Sequence, residues 1–354
     1  MRELIVLNYS MDDSHPLLAH QFDIANLLAR HFDHVTVITM EGPSFGIDNM
    51  EVRSVGWLPG HNIRNIWNLY RVSIPILFRY RRASVLFSHM TDLQSSLIAP
   101  ISKLFGVTHY LWYAHKVKSK YLQIASYFVE KVITSTKGSC PVETSKVISI
   151  GQAIDQNAFR FNARTPNSHL FRALHIGRFD PSKNLERIFW SISVLRKEFS
   201  ELTITQIGAP SNKIAFDDAN RLQEKWKNGM AEGWILIKPS VIRSQIPKII
   251  ADYDVFFHSY IGSLDKTLIE ATMCGIPVVT TNPEYLEEFG SWSGLKDVTL
   301  EKEYLSLTQM SPIDYTEEIQ RRYRISLDRH SREKWIDSLV KILSSKHLGQ
   351  GQER

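Results

Sequence analysis

The chain alternates strand signals with helix signals along its whole length, and the alternation restarts halfway. A strand, a helix and a second strand in that order pair in parallel, so the pattern predicts parallel sheets covered by helices. In the first half, strands are expected at Leu4–Leu7, Val35–Thr39, Val85–Ser88, His109–Trp112, Val132–Thr134 and Val147–Ile150, with helices at Leu17–Arg30 and Gln94–Leu104. In the second half, strands are expected at Ala173–Ile176, Thr203–Ile207, Trp234–Ile237, Val255–His258 and Pro277–Val279. Helices follow near Leu185–Phe199, Phe216–Asn228, Arg243–Tyr253 and Lys266–Cys274. The polar stretch Asn157–Ser168, with Pro166, reads as the linker between two domains. A length of 354 residues gives each domain room for its own core. Ser331–Lys346 forms an amphipathic pattern with Trp335, Leu339, Ile342 and Leu343 on one face, followed by a tail expected to fray.

Composition removes several classes. Eight Trp, 13 Tyr and 17 Phe argue against disorder. Two cysteines, Cys140 and Cys274, offer neither a disulfide framework nor a metal spacing, which fits a reducing compartment. The 13 histidines form no Cys/His cluster, so no metal site is expected. The first residues, MRELIVLNYSMDDSHP, do not read as a signal peptide, and no run of ~18–20 apolar residues exists to span a bilayer. A net charge of +5 allows attraction to anionic lipid, glycan or nucleic acid without choosing among them.

Two segments carry the chemistry. Leu174–Asn184 reads LHIGRFDPSKN, and Ser263–Val279 reads SLDKTLIEATMCGIPVV. In both, a strand or turn carrying charged residues leads into an amphipathic helix. Strand ends that face helix N-termini are where open α/β sheets bind ligands, and helix N-termini suit phosphate. An Arg and a Lys at one strand end can hold a diphosphate, the first as a fork and the second as a point charge.

Together these segments resemble the nucleotide-sugar half of retaining GT-B glycosyltransferases of family four, the glycosyl transferases group 1. The family's strand-turn pattern falls on Gly177, Arg178 and Lys183. Its carboxylate before glycine–x–proline–valine–valine falls on Glu270, Gly275, Pro277, Val278 and Val279. The resemblance implies that Glu270 binds the donor's ribose. Where the family often carries another Glu, this chain has Gly262. The Gly-aromatic-Gly segment that follows is replaced by Ser263, Leu264 and Asp265, ahead of Lys266. Backbone N–H groups of that loop can still contact the donor, and Asp265 is the residue expected to substitute for the missing Glu. The helix start at Asp265–Thr267 is expected to stabilise the leaving diphosphate. Pro239 and Val241, after another strand, are placed at the nucleotide base.

The first half adds to the resemblance. Val107–His115 reads VTHYLWYAH, and relatives carry a His after the corresponding strand, which implies that His115 faces the donor sugar. Val147–Asp155, VISIGQAID, resembles the family's passage from one domain to the next. The glycine-rich turn common after the first strand is absent; Ser10, Asp12, Asp13, Ser14 and His15 make a polar loop instead, expected on the acceptor side. His89 and Asp92 are weaker candidates for the same side, and Asp92 reads equally as a helix cap.

Ile63–Arg82, IRNIWNLYRVSIPILFRYRR, interleaves Arg64, Arg71, Arg79, Arg81 and Arg82 with Trp67, Tyr70, Phe78 and Tyr80. It suits a helix lying on an anionic bilayer, and equally an ordinary helix with a solvated basic face broken near Pro75. No nucleic-acid-binding signature accompanies it.

The resemblance implies two Rossmann-like domains: 1–158 for the acceptor, 159–328 for the nucleotide sugar, and a helix over 329–354 returning to the first. Closing the cleft between them is expected to exclude water. The reaction implied is transfer of a sugar with retention from a nucleoside-diphosphate sugar to an acceptor hydroxyl. Arg178 and Lys183 would stabilise the leaving group, with His115 near the sugar and no cofactor or metal required. A bacterial surface polysaccharide or lipid-linked glycan is the acceptor class, reached in the cytoplasm or at the inner membrane face. A nucleotide-sugar epimerase and a non-catalytic donor-binding partner are the alternatives.

Overall fold

The computed structural model describes residues 3–15, 18–81, 84–162 and 170–348. Arg82, Pro166 with the rest of 163–169, and the tail 349–354 lie outside the described residues. The chain divides into two compact units, Met1–Gly151 with Trp335–Arg354, and Gln152–Lys334. The division falls seven residues before the expected boundary of 158.

Unit 1 runs β1 (Glu3–Ser10), α1 (Ala19–Ala29), β2 (His34–Glu41), β3 (Phe45–Ile47), β4 (Met50–Ser54), α2 (Asn62–Arg79), β5 (Ser84–His89), α3 (Asp92–Leu104), β6 (Thr108–Trp112), α4 (Lys120–Phe128), β7 (Lys131–Thr134) and β8 (Val147–Ser149). Among the described residues its strands form one sheet in the order β3-β4-β2-β1-β5-β6-β7-β8. All neighbours are parallel except β3, which runs antiparallel to β4. The central strands read as continuous apolar runs because helices cover both faces. Ile5, Leu7, Ile38, Leu86 and Ile98 pack with Leu69 and Leu77 of α2 in one cluster. Leu111 and Val132 pack with Leu122 and Ala125 of α4 in another.

One of the two readings of this segment has a break near Pro75; α2 continues through it. Pro75 removes one N–H and frees the carbonyl of Arg71, four residues back. Arg71 and Pro75 are both exposed, so that carbonyl lies on the solvent side and the helix survives.

Unit 2 runs β9 (Arg172–Ile176), α5 (Leu185–Leu195), β10 (Thr203–Ile207), α6 (Lys213–Lys225), α7 (Lys227–Ala231), β11 (Ile235–Lys238), α8 (Ile246–Ala251), β12 (Val255–His258), α9 (Lys266–Met273), β13 (Val278–Thr280), α10 (Pro283–Phe289), α11 (Leu300–Thr308) and α12 (Pro312–His330). Its sheet has the order β11-β10-β9-β12-β13, all parallel. Successive residues of β9 enter opposite cores, Ala173 with Ile188 and Phe189, Leu174 with Leu268 and Ile269. Because β9 and β12 are parallel neighbours, their carboxyl ends lie at the same edge of the sheet. The last helix, α13 (Arg332–Leu348), begins in unit 2, and its residues from Trp335 onward belong to unit 1. There the Trp335 ring meets the Trp112 ring edge-on at 5.1 Å.

Candidate functional site

A cluster of buried and partly buried charge lies in unit 2, at the carboxyl ends of β9 and β12 and the start of α9. The end of β9 is pinned by its neighbour. Gly177 N–H donates to the Ile207 carbonyl at 3.0 Å, and Gln206 Nε2 donates to the Gly177 carbonyl at 2.8 Å. Gly208 must be glycine here, because a Cβ would fall 1.9 Å from the Gly177 oxygen.

From that end the chain enters a turn. Asp180 accepts the Ser182 N–H at 3.1 Å and caps a single 3₁₀ turn, Pro181–Lys183. Asn184 follows with φ 50°, a left-handed conformation that asparagine tolerates. Ser259, just past β12, clamps the turn by donating to the carbonyls of Lys183 and Asn184 at 2.9 and 2.7 Å. Arg178 projects with its side chain 54% exposed, its guanidinium 3.9 Å from Asp180.

Lys183 turns inward instead. Its ammonium donates to Asp265 and lies 4.4 Å from the centre of the Tyr260 ring. Asp265 is the N-cap of α9, accepting the Thr267 N–H at 3.3 Å, and also lies 3.4 Å from His258 Nε2. Burial pushes the Asp265 carboxyl up, but the His258 hydrogen bond and the Lys183 charge win and hold it well below the usual carboxylate range. The Asp265 carboxylate, expected to substitute for the missing Glu, is engaged here by Lys183, His258 and Thr267. The α9 N-terminus carries its own Asp265 cap.

Two histidines stand behind the lysine. His175 Nδ1 is 2.8 Å from the Phe257 carbonyl, which can only accept, so Nδ1 carries the proton. Burial, reinforced by the neighbouring His258, lowers its pKa to about 3, so the ring is neutral. Its buried Nε2 has no partner among the described residues and faces Gly177. His258 is also lowered by burial, against the pull of Asp265, and its Nδ1 is 3.3 Å from Thr280 Oγ1.

Glu270 is buried inside α9. One oxygen accepts from Arg243, and the other, Oε2, has no partner among the described residues; nor has the Oγ1 of Thr267, one turn earlier. Burial raises the Glu270 pKa, and the Arg243 charge opposes that rise. Lys266, the first residue of α9, is lowered to about 8 by burial and by Arg243, against Glu270 and Asp265. Buried polar atoms are normally satisfied, so two unpartnered oxygens on one helix make α9 a candidate place for a polar ligand.

The loop between β12 and α9 is held from below. Asn282 Nδ2 donates to the carbonyl of Tyr260 at 2.8 Å, with Gly262 and Ser263 carbonyls at 3.3 Å. Gln152 donates to the Leu264 carbonyl at 2.8 Å. Ser263 and Leu264 are buried. Pro239 lies exposed after β11, and Val241 packs beside Ile246 and Ile250.

The unit 1 candidates occupy the carboxyl ends of β1, β5 and β6. Ser10 is buried; its N–H and that of Tyr9 donate to Gln21 Oε1, each at 3.0 Å. Asp12 is exposed and accepts from Ser14 N–H and Oγ at 2.9 and 2.6 Å, which lowers its pKa. His15 Nδ1 accepts the Leu18 N–H at 3.0 Å. His89 is buried, edge-on to His20 at 5.5 Å. Asp92 is the first residue of α3, and the cap position itself belongs to Thr91. His115 is exposed beyond β6, its ring 6.0 Å from that of Tyr113.

Sequence reasoning missed Tyr260, Arg243, His175 and Asn282. Each acts through a partner distant along the chain, and none stands in a pattern that announces it.

Residues 171–292, which contain Gly177, Arg178, Lys183, Asp265 and Glu270, match the family described as Glycosyl transferases group 1. The fold is that of the GT-B enzymes. HepE of Anabaena, solved in complex with UDP, superposes with a TM-score of 0.70 at 14% identity, over 97% of this chain and 100% of that one. Sucrose-phosphate synthase of Thermosynechococcus elongatus gives 0.74 at 11%, over 99% and 100%. A glycosyltransferase of Rickettsia africae gives 0.72 at 11%, over 97% and 98%. No curated protein sequence matches the chain.

Proposed function

We propose that this chain, a glycosyltransferase of GT-B fold, moves a hexose or related sugar with retention from a uridine-diphosphate sugar to an acceptor hydroxyl. The observation that carries the donor reading is Glu270, a buried carboxylate with one oxygen unpartnered beside the unpartnered Thr267 hydroxyl. A ribose diol supplies the donors that Glu270 Oε2 lacks, and Lys266 lies on the same helix for phosphate. The choice of uridine follows from structural likeness to HepE, whose complexes hold UDP and UDP-glucose.

Arg178, free to move at the surface, takes the developing charge on the diphosphate. Lys183, already bound to Asp265 and Tyr260, supplies a fixed positive field rather than a mobile clamp. With retention, the acceptor hydroxyl attacks from the face the diphosphate leaves. A departing phosphate oxygen then takes the acceptor's proton. We assign the acceptor to unit 1, where the strand ends carry Ser10, Asp12, His15, His89, Asp92 and His115. The acceptor class is a polysaccharide end or lipid-linked glycan of a bacterial surface. No described helix is long and apolar enough to cross a membrane. Contact with an anionic membrane surface is assigned to α2.

The test is a thermal-shift series with UDP and a panel of UDP-sugars. A true donor at one hundred times its dissociation constant adds ~2.7 kcal/mol to stability. Anomeric proton couplings of the product then report retention. Absence of a shift with every nucleotide would overturn the donor reading; donor turnover to a stereoisomer without acceptor would replace transfer by epimerisation.

A further inference from the structure

Helix α2 buries Asn65, Leu69, Ser73 and Leu77. On its other side Ile63, Trp67, Ile74 and Phe78 are 87, 69, 37 and 53% exposed. They follow one another at four, seven and four residues, so they form one ridge along the helix. A contiguous exposed apolar ridge with a tryptophan is not ordinary solvent surface. Arg64, Arg71 and Arg79 flank it along one edge, and the helix contains no acid.

Beyond that edge lies a cavity of about 450 Å³ whose polar lining includes Thr36, Ser44, Arg53, Arg71, Arg79 and Tyr80. Glu51 also lines it and pairs with Arg53. Three arginines therefore face one carboxylate. The Arg79 guanidinium rests 5.2 Å from the centre of the Tyr80 ring. Among the described residues no carboxylate lies within ion-pair reach of Arg71 or Arg79. Two guanidiniums that line a cavity without a carboxylate partner among the described residues, beside an apolar ridge, match a ligand that joins phosphate to hydrocarbon.

We propose that this cavity holds the phosphate of an anionic phospholipid headgroup, gripped by Arg71 and Arg79, while Ile63, Trp67, Ile74 and Phe78 enter the acyl boundary of the same leaflet. The proposal rests on the reading that α2 meets an anionic membrane, and adds to it a defined lipid site. A general basic surface attracts charge wherever it lies; a headgroup site saturates and depends on the two arginines that line it.

The experiment uses the full chain and two probes. One is dihexanoyl-phosphatidylglycerol below its micelle concentration; the other is phosphatidylcholine vesicles with and without phosphatidylglycerol. Arg71→Gln/Arg79→Gln is compared with Arg64→Gln/Arg81→Gln, which removes equal charge outside the cavity. The wild type is expected to bind the soluble lipid saturably, and Arg64→Gln/Arg81→Gln to match it. Arg71→Gln/Arg79→Gln should lose on the order of 25-fold, about fivefold for each arginine. Equal effects of the two double variants, no binding of the soluble lipid, or its displacement by inorganic phosphate at equal concentration would overturn the headgroup site. In those cases salt-sensitive binding to the anionic vesicles would leave the membrane reading standing. Indifference of the wild type to anionic vesicles would overturn both. Circular dichroism of each variant separates loss of binding from loss of fold.

Discussion

Tyr260 lays its ring over Gly262 so closely that a Cβ there would meet the ring Cζ and hydroxyl at 1.9 Å. The same ring covers the Lys183 ammonium. At Gly262 the place of a side chain is taken by a phenol folded back from two residues earlier. Gly262→Ala should swing that ring away, since it is the free end of a side chain, and leave Lys183 less fixed. Donor affinity is expected to fall about twofold to fivefold, the size of an exposed cation–π contact. Titration calorimetry with UDP checks this; unchanged affinity would detach Tyr260 from the donor site.

Arg178→Ala should lower turnover by at least ~100-fold, because one lost donor to developing charge costs ~2.7 kcal/mol or more. The side chain is more than half exposed and only loosely near Asp180, so the thermal midpoint should hardly move. Near-normal turnover in the folded variant would remove Arg178 from the site.

Glu270→Gln keeps volume and removes charge. The Arg243 bond weakens, and ribose hydroxyls meet a poorer acceptor. Free UDP and UDP-sugar should both bind more weakly. A loss confined to the intact sugar nucleotide would place Glu270 against the sugar instead of the ribose.

Lys266 gives a pH dependence with a definite sign. Its folded pKa of about 8 lies below the ordinary lysine value of 10.5. At pH below 8 it is charged in both folded and unfolded chains, and its burial cost is fully present. Between about 8 and 10.5 the unfolded chain binds more protons, so this group's contribution to stability rises with pH. Phosphate binding runs the other way, since only the charged form attracts an anion. UDP affinity should fall as pH rises through 8, and Lys266→Met should flatten that profile. A profile identical in both proteins would exclude Lys266 from phosphate contact.

The strands of both units were legible because parallel strands buried on two faces must be continuous apolar runs, as in Leu4–Leu7 and Val255–Phe257. The missed elements lack that signature. β3 and β4 are a short edge pair. α12 is strongly polar and is anchored through few residues, among them Tyr315, Ile319 and Arg322. Of the candidate site, Arg178, Lys183 and Glu270 could be singled out because the motifs of the resemblance are local and fall on them. That Lys183 is engaged by Asp265, and that Arg243 covers Glu270, depends on partners 82 and 27 residues away in sequence. Local pattern has no access to such pairs.

Unit 1 is discontinuous: its sheet is encoded before residue 152, yet Trp335, fully buried against Trp112, is encoded after unit 2. On the ribosome the first sheet must therefore wait, its Trp112 face uncovered, while 183 residues of unit 2 (Gln152–Lys334) are synthesised. At ~5–20 residues per second that delay is roughly 10 to 40 seconds. Unit 2 can close first although it comes second, and the last helix acts as the stitch that completes a domain begun before it.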